Sequence, residues 1–269
     1  MLRQIFEYRF LMRIFNKLLN NKDKINLICN KYILSQRYKL RFNEIRYLTS
    51  KDINKWYFNC LTNIHTKNVF KFPTSITRLI VRNFSQEPIE LTIPDSVVNL
   101  KLRGSFNQSI RNLIPRSVTH LTLGGSFNKK IKNRIPNSVR KLKLEGNFNK
   151  PIYGCISNSV EKLIFGMFFN QPITNSIPNS VKTLIFGEDF NQSIKKSIPN
   201  SVTCLKFGTN FNKSINELPD TILVLKLGIL YKKKILKLPL NLKQLVTCKR
   251  FVIKNEEIIN SNVIITYNF

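Results

Sequence analysis

Histidine and acidic residues are scarce in this 269-residue chain, which has only two histidines, His65 and His120, and 15 Asp and Glu residues. A Ser-His-Asp triad, a histidine metal site and a pair of catalytic carboxylates all need several such groups close together. The glycine-rich phosphate loops of nucleotide-binding enzymes are also missing from the sequence. We therefore expect no enzymatic activity, no catalytic residue, no metal site and no cofactor.

Paired cysteines and long apolar runs are missing as well. The five cysteines are an odd number without a C-x-x-C pair, which argues against a disulfide framework and a zinc site. No apolar run reaches the roughly 18 residues that span a bilayer, and Glu7, Arg9 and Arg13 interrupt the first 20 residues, unlike a signal peptide. We expect an intracellular protein, neither secreted nor transmembrane, with no membrane partner. A mitochondrial presequence is the alternative for this Arg-rich start.

Basic residues are abundant, since 44 Lys and Arg against 15 Asp and Glu give a formal net charge of +29. Such a charge attracts anionic partners, including nucleic acids and acidic proteins. The excess is spread along the chain and does not form one basic stripe. AT-rich codons, which encode Lys, Asn, Ile and Phe, offer an alternative compositional explanation.

A period of 21 residues organises most of the chain. A Phe-Asn pair recurs at this step six times, as Phe106 and Asn107, Phe127 and Asn128, Phe148 and Asn149, Phe169 and Asn170, Phe190 and Asn191, and Phe211 and Asn212. Proline follows the same step at Pro94, Pro115 and Pro136, and Ser157 replaces it in one repeat. A fixed period of this length predicts a solenoid in which each repeat depends on its neighbours for a core.

Each repeat follows the pattern I-P-x-S-V-x-x-L-x-L/F, a glycine, and then F-N-x-x-I. The L-x-L alternation predicts a short strand whose two apolar side chains face the core while the residue between them faces outward. We predict that the phenylalanines form a buried spine. The asparagine amides are predicted to bond to turn backbone groups, forming a ladder along the stack.

The L-x-x-L-x-L segment resembles leucine-rich repeats. The segments F-N-K-P-I (148–152) and F-N-Q-P-I (169–173), with several I-P-N-S-V blocks, resemble the FNIP repeat family of slime moulds and large amoeba-infecting viruses. The resemblance covers about residues 71–247 and implies an α+β, leucine-rich-repeat-like solenoid of eight to nine repeats, six of them regular. It implies a parallel sheet on one face, a protein-interaction role and no catalytic residue. Because Ser157 and Tyr231-Lys232 depart from the pattern, we expect the stack to loosen or end there.

The two ends of the chain lack the repeat. Apolar spacing predicts helices over residues 1–70, the third of them lying between a capping Thr49 and Ile64. This region is interpreted either as a helical cap on the first repeat or as a degenerate F-box, which residues 10–40 resemble without its L-P-x-E opening. An F-box implies docking to a cullin adaptor. Residues 248–269 are predicted to form a C-terminal cap.

The outward positions of the strands are the candidate partner-binding surface. They are Lys101, His120, Lys141, Lys143, Lys162, Ile164, Ile185, Lys206 and Lys226. A basic sheet with an apolar middle at Ile164 and Ile185 fits an acidic protein partner with an apolar anchor, although the lysines are also consistent with an ordinary solvated surface. Three hypotheses follow: a protein-binding scaffold, an F-box-type substrate receptor for a cullin ubiquitin ligase, and non-specific nucleic-acid binding. The inward phenylalanines leave nucleic-acid bases no stacking platform.

Overall fold

A computed structural model describes residues 58–62, 70–71, 77–83 and 91–267 of the chain. These residues form a parallel β-solenoid of about nine turns with repeats of about 21 residues. Successive turns contribute short strands to an 11-stranded sheet along one side of the stack. The predicted solenoid and its parallel sheet are therefore confirmed.

The strands of the large sheet lie in chain order, so that each pairs with its predecessor and successor. They are β1 (Phe58–Thr62), β3 (Arg78–Asn83), β5 (Asn99–Gly104), β6 (His120–Leu123), β7 (Lys141–Leu144), β8 (Lys162–Phe165), β9 (Thr183–Ile185), β10 (Cys204–Lys206), β11 (Val224–Lys226), β12 (Gln244–Thr247) and β13 (Ile264–Tyr267). Strands β2 (Phe70–Lys71) and β4 (Leu91–Thr92) form a separate parallel pair. Parallel neighbours need a long return connection, which the remainder of each repeat supplies.

The core is a set of apolar columns that run along the stack. Leu121 lies opposite Leu142 in the sheet, and Leu142 lies opposite Leu163. All six phenylalanines of the Phe-Asn pairs are fully buried, and their rings stack on one another, with centroids 6.1 Å apart between Phe127 and Phe148. Because each apolar side chain packs against its copies in adjacent turns, the turns stabilise one another.

Two hydrogen-bond ladders join successive turns. In the predicted asparagine ladder, the backbone N–H of Asn128 donates to Oδ1 of Asn107 at 2.9 Å. The same bond recurs at 3.0 Å in the next four turns, where the donors are Asn149, Asn170, Asn191 and Asn212. A second ladder, which the sequence analysis missed, runs from the serine of I-P-x-S-V. There the Ser138 hydroxyl donates to the Val118 carbonyl at 2.8 Å. Both ladders satisfy backbone groups that the tight turns leave without strand partners.

The third predicted helix is wrong over residues 58–62, which form β1. In this strand Phe58 lies opposite Leu79 and Cys60 lies opposite Val81, so both residues precede their partners by the 21-residue period. The apolar spacing of this short segment fits a helix and a strand equally well, and pairing with β3 favours the strand. The remainder of that helix, the other predicted helices and residues 10–40 lie outside the described residues.

The departures at Ser157 and Tyr231-Lys232 do not loosen the stack. The Ser157 carbonyl accepts the backbone N–H of Val160 at 3.1 Å, as the proline carbonyls do in neighbouring turns. Tyr231 is buried and stacks on Phe211, with ring centroids 6.1 Å apart, and the Lys232 N–H donates to Oδ1 of Asn212. The expectation of a loosened stack at these places is therefore wrong.

The C-terminal segment contains the described α-helix α1 (Lys249–Lys254), a 3₁₀ turn (Glu256–Ile258) and strand β13. Lys232 has no amide side chain to continue the asparagine ladder. In the next turn the Val252 N–H, at the position of the ladder donors, instead bonds to the carbonyl of Cys248, the residue before α1, at 3.5 Å. The α part of the predicted α+β class depends chiefly on residues ahead of β1, which lie outside the described residues.

Candidate functional site

Two outward columns cross the large sheet, and the strand register aligns them. The first column, between the two inward positions of each strand, contains Lys101, Thr122, Lys143, Ile164, Ile185, Lys206, Lys226 and Val246. Neighbouring strands are about 4.8 Å apart, so neighbouring side chains in a column are within reach of one partner segment. Thr122 is buried beneath its neighbours, whereas the candidate lysines and isoleucines of this column are half-buried.

The second column begins each strand. It contains Asn99, His120, Lys141, Lys162, Thr183, Cys204, Val224 and Gln244. The structure thus brings all nine predicted partner-binding residues onto one face of one sheet. Because both columns alternate with buried leucines, their backbone positions are fixed by the core.

Positive charge is concentrated on β5 to β8, in a group that we name the basic cluster: Lys101, Arg103, Lys141, Lys143 and Lys162. Burial, followed by the like charges of Arg78, Arg103 and Lys143, lowers the pKa of Lys101. Burial and then the charges of Lys143 and Lys162 lower the pKa of Lys141. Mutual repulsion in the cluster therefore disfavours the charged lysines, and a bound anion would relieve it.

Glu145 is the acidic side chain that contacts this cluster. Its Oε2 accepts Nη2 of Arg103 at 3.0 Å, and its Oε1 accepts Nζ of Lys143 at 3.3 Å. Arg103 and Glu145 lie two strands apart, and Gly124 occupies the position between them. Because Gly124 has no side chain, the arginine can reach across it. One carboxylate facing five basic groups leaves the cluster with excess positive charge.

His120 stands beside the basic cluster and adds hydrogen-bonding capacity without adding charge. Its Nδ1 lies 2.9 Å from Oγ1 of Thr119. Burial, and then the charges of Lys141 and Arg78, lower its pKa below the ordinary value of 6.5. The ring is therefore mostly neutral at pH 7. The second histidine, His65, lies outside the described residues.

An apolar section follows the basic cluster along the sheet. Ile164 and Ile185 are direct neighbours in register, as the sequence predicted. Val224, which follows Cys204 in the second column, and Val246 in the first column extend the section. Neither valine is among the residues predicted from the sequence, which include none after Lys226 and leave Val224 out of the second column. The outward face of the sheet is therefore basic at β5 to β8 and mixed apolar and basic at β8 to β12.

The cavity and the cysteine away from the sheet are weaker candidates for a functional site. A cavity of about 590 Å³ lies between two turn corners, where Gly154, Cys155 and Ser157 replace the usual residues. Burial raises the pKa of the Cys155 thiol, so the thiol is protonated at pH 7. In the described ranges, no three His, Cys, Asp or Glu side chains form a possible metal site. No helix in the described part of the chain is long and apolar enough to cross a membrane.

Comparisons with known proteins agree with this geometry. The FNIP repeat pattern matches residues 106–147, 127–153, 148–189 and 190–230. No curated protein matches the sequence. The crystal structure of the giant-virus protein CroV588, described as a novel circular LRR protein, resembles this chain with a TM-score of 0.62 and 30% identity, over 79% of this chain and 32% of that one. The chain thus spans about a third of the length of CroV588. It is an FNIP repeat protein with a leucine-rich-repeat-like fold.

Proposed function

We propose that this chain is a non-enzymatic scaffold that binds a protein partner across the outward face of its large sheet. The observation that carries the proposal is the arrangement of that face, with the basic cluster on β5 to β8 and the apolar section beginning at β8. The partner is an acidic segment with an apolar anchor. Its acidic side chains would contact the lysines, and its anchor would contact Ile164 and Ile185.

Charge complementarity supports the acidic half of this partner. Glu145 neutralises part of the basic cluster. Burial, and after it the repulsion of the remaining charges, lowers the pKa values of Lys101 and Lys141. An incoming carboxylate replaces that repulsion with attraction. Such charges steer association and select against basic partners.

The apolar half rests on the half-buried pair Ile164 and Ile185. Aliphatic side chains in the middle of a charged face lose water contact when a partner covers them, and such central positions commonly carry much of the binding energy. Lys206 and Lys226 continue the first column beyond them, so the apolar pair has basic side chains on both sides. A partner with one hydrophobic anchor among acidic residues fits this order.

The test is a binding titration with a fluorescent peptide that contains four acidic residues, a short spacer and one phenylalanine. The variant K141E/K162E reverses two charges in the basic cluster. We expect it to lower affinity at least about tenfold at low salt, since each charge contributes on the order of 1 kcal/mol near a surface. The matched control K129E/K130E makes the same change in net charge at exposed turn lysines away from the sheet and should bind nearly as the parent does. Equal losses in both variants would refute a specific sheet site.

Nucleic acid is the second candidate, because the same basic cluster attracts phosphates. A single-stranded RNA competitor separates the two proposals. If RNA binds more tightly than the peptide and its affinity falls steeply with salt, the scaffold proposal gives way to non-specific nucleic-acid binding. If RNA competes only weakly, the acidic peptide is the better ligand.

The N-terminal predictions concern residues outside the described part of the chain. We propose that the residues ahead of β1 form a helical cap over the first turn, and the F-box-type receptor that docks a cullin adaptor remains the alternative. Because β1 begins at Phe58, a deletion that tests them should end before it. Recovery of an adaptor with the full chain, but not with a chain lacking residues 1–50, would favour the F-box. An intracellular location also remains a prediction.

A further inference from the structure

The last turns of the solenoid carry many basic residues and few acidic ones. No Asp or Glu occurs between Asp220 and Glu256, and the basic residues of this stretch are Lys226, Lys232, Lys233, Lys234, Lys237, Lys243, Lys249, Arg250 and Lys254. Earlier turns differ, since Lys182 pairs with Glu161 at 3.3 Å and Lys195 with Glu217 at 3.5 Å. Glu256 and Glu257, which follow Lys254, offset only part of this charge, so this end of the stack keeps a positive excess.

The same turns expose aliphatic side chains at positions where the preceding turn is polar. Ile229 and Leu230 are each 46% exposed, and the corresponding residues one turn earlier are Thr209 and Asn210. Their backbone is held in place, because the next residue, Tyr231, is buried and stacks on Phe211. These side chains are thus fixed at the surface rather than carried by a loose loop.

Helix α1 lies beside this corner. The ring of Phe251 meets that of Tyr231 edge to face, with centroids 5.9 Å apart, so the residues flanking the two rings are neighbours. Ile253 of α1 is 67% exposed. We name the resulting surface the C-terminal patch; its members are Ile229, Leu230, Lys232, Lys233, Lys234, Ile253 and Lys254. It combines exposed aliphatic groups with exposed lysines.

We propose that the C-terminal patch docks the protein onto the surface of an anionic lipid bilayer. Each lysine near such a surface increases partitioning roughly fivefold, and aliphatic side chains among lysines enter the boundary between headgroups and acyl chains. The cavity that Gly154 and Cys155 help to line is elsewhere in the stack. Singly placed aliphatic groups with flexible lysines suit a fluid array of headgroups better than a shaped protein pocket.

This proposal departs from the expectation of no membrane partner. That expectation rested on the absence of a run long enough to span a bilayer, and surface binding needs no such run. The patch lies in the turn after β11 and in α1 after β12, not on the outward columns of the sheet. Lipid binding and partner binding therefore use different residues, and the failure of one proposal leaves the other standing.

Co-sedimentation of the full chain with vesicles tests the proposal. Nuclease-treated protein is mixed at about physiological salt with vesicles of pure phosphatidylcholine or with 30% phosphatidylserine added. The variant I229T/L230N introduces the residues of the preceding turn, and K232N/K234S introduces Asn212 and Ser214 of that turn. The matched control M167T/F168N makes the same apolar-to-polar change at the same repeat position three turns earlier, where Met167 and Phe168 are also exposed.

The parent protein should partition onto phosphatidylserine vesicles at least tenfold better than onto neutral ones. We expect I229T/L230N to lower that partitioning about tenfold and K232N/K234S to lower it about 25-fold. M167T/F168N should leave it unchanged, and all variants should keep the parent's thermal midpoint within a few degrees. Equal binding to both vesicle types, no binding at all, or equal loss in the control would overturn the proposal. Binding that only acidic protein or RNA probes produce would also overturn it.

Discussion

Two kinds of turn differ in the position of one glycine. The Leu turns carry Leu102, Leu123 and Leu144 in the core, whereas the Phe turns carry Phe165, Phe186 and Phe207 at the same position. In the Leu turns the glycine stands two residues after the leucine and has a positive φ, 62° at Gly125. In the Phe turns it follows the phenylalanine directly, as Gly187 does, and is not among the positive-φ residues. In these six turns the change of core residue and the shift of the glycine occur together, whereas in the following turn the glycine is shifted although the core residue is Leu227.

This shift changes what the corner can carry. The position of Gly146 in a Leu turn is occupied by Met167, Glu188 and Thr209 in the Phe turns, and by Ile229 after them. Left-handed backbone strongly favours glycine, whereas the corner of a Phe turn accepts a side chain. When the glycine stands one residue earlier, the corner position can hold different side chains and becomes a variable part of the surface. The C-terminal patch includes such a corner position, Ile229.

The largest expected difference between the two kinds of turn is in the core. Phe190 stacks on Phe186, with centroids 3.8 Å apart, as well as on Phe169 and Phe211. Phe127 in a Leu turn has ring neighbours only along its own column, at 6.1 and 6.2 Å, among the described aromatic contacts. We expect Phe190→Ala to cost about 4–5 kcal/mol and Phe127→Ala about 1 kcal/mol less, since an aromatic pair adds about that much to burial.

Urea denaturation followed by circular dichroism measures both values. Phe190→Leu serves as the control, because it keeps most of the buried volume and should recover more than half of the loss. If Phe127→Ala destabilised the protein as much as Phe190→Ala, the second phenylalanine column would contribute no more than a leucine column. The two kinds of turn would then differ in the side chains that they expose and not in the stability of their cores.

The next largest difference is expected between two glycines, because alanine should destabilise the protein more at Gly187 than at Gly124. At Gly187 an added Cβ would collide with the backbone of Gly166, whereas at Gly124 it would make ordinary contacts of 3.5 Å with Arg103 and Glu145. We expect Gly187→Ala to cost about 2–3 kcal/mol through displaced backbone and Gly124→Ala less than about 0.5 kcal/mol. Thermal midpoints of the two variants check this. Equal midpoints would contradict close backbone approach as the reason for the glycine in a Phe turn.

The asparagine ladder should show a smaller difference. Oδ1 of Asn170 accepts both the Asn191 N–H and Nε2 of Gln192, each at 3.0 Å. Oδ1 of Asn107 in a Leu turn accepts the Asn128 N–H. We expect Asn170→Ala to cost about 1.5–2 kcal/mol and Asn107→Ala about 1 kcal/mol, because each leaves a backbone donor without its partner. Urea midpoints measure both, and a larger loss at Asn107 would show that the second bond adds nothing.

Period and alternation in the sequence predict the solenoid, the inward spine and the outward columns, because each depends on a local pattern that repeats many times. The sequence shows that the glycine stands either one or two positions after the second inward residue, but it does not show why the spacing matters. Its meaning depends on backbone contact between turns, as between Gly187 and Gly166. No single repeat contains that information.

The ends of the solenoid were harder to predict for a related reason. Residues 58–62 have a spacing compatible with either a helix or a strand, and pairing with β3 favours the strand. At the other end, Phe251 lies 20 residues after Tyr231 and meets its ring, yet the shortened period and the loss of Asn concealed it. The candidate binding face was predicted almost in full, since outward positions follow from alternation. Val224 and Val246, which lie after the last Phe-Asn pair, were not among the predicted residues.

The smallest expected effect concerns Glu188, at the corner position that glycine occupies in the Leu turns. Hydrogen bonds from the Thr209 hydroxyl and from its backbone N–H, the latter at 2.7 Å, lower the pKa of this carboxyl. A lowered folded-state pKa contributes stability above the unfolded pKa of about 4.3, which is lost as pH falls through the folded value. Because Glu188 is exposed, Glu188→Gln should lower the thermal midpoint only slightly at pH 7 and not at all near pH 3. The same substitution at exposed Glu257 is the control, and a difference from the parent that persisted at pH 3 would assign the effect to packing rather than to charge.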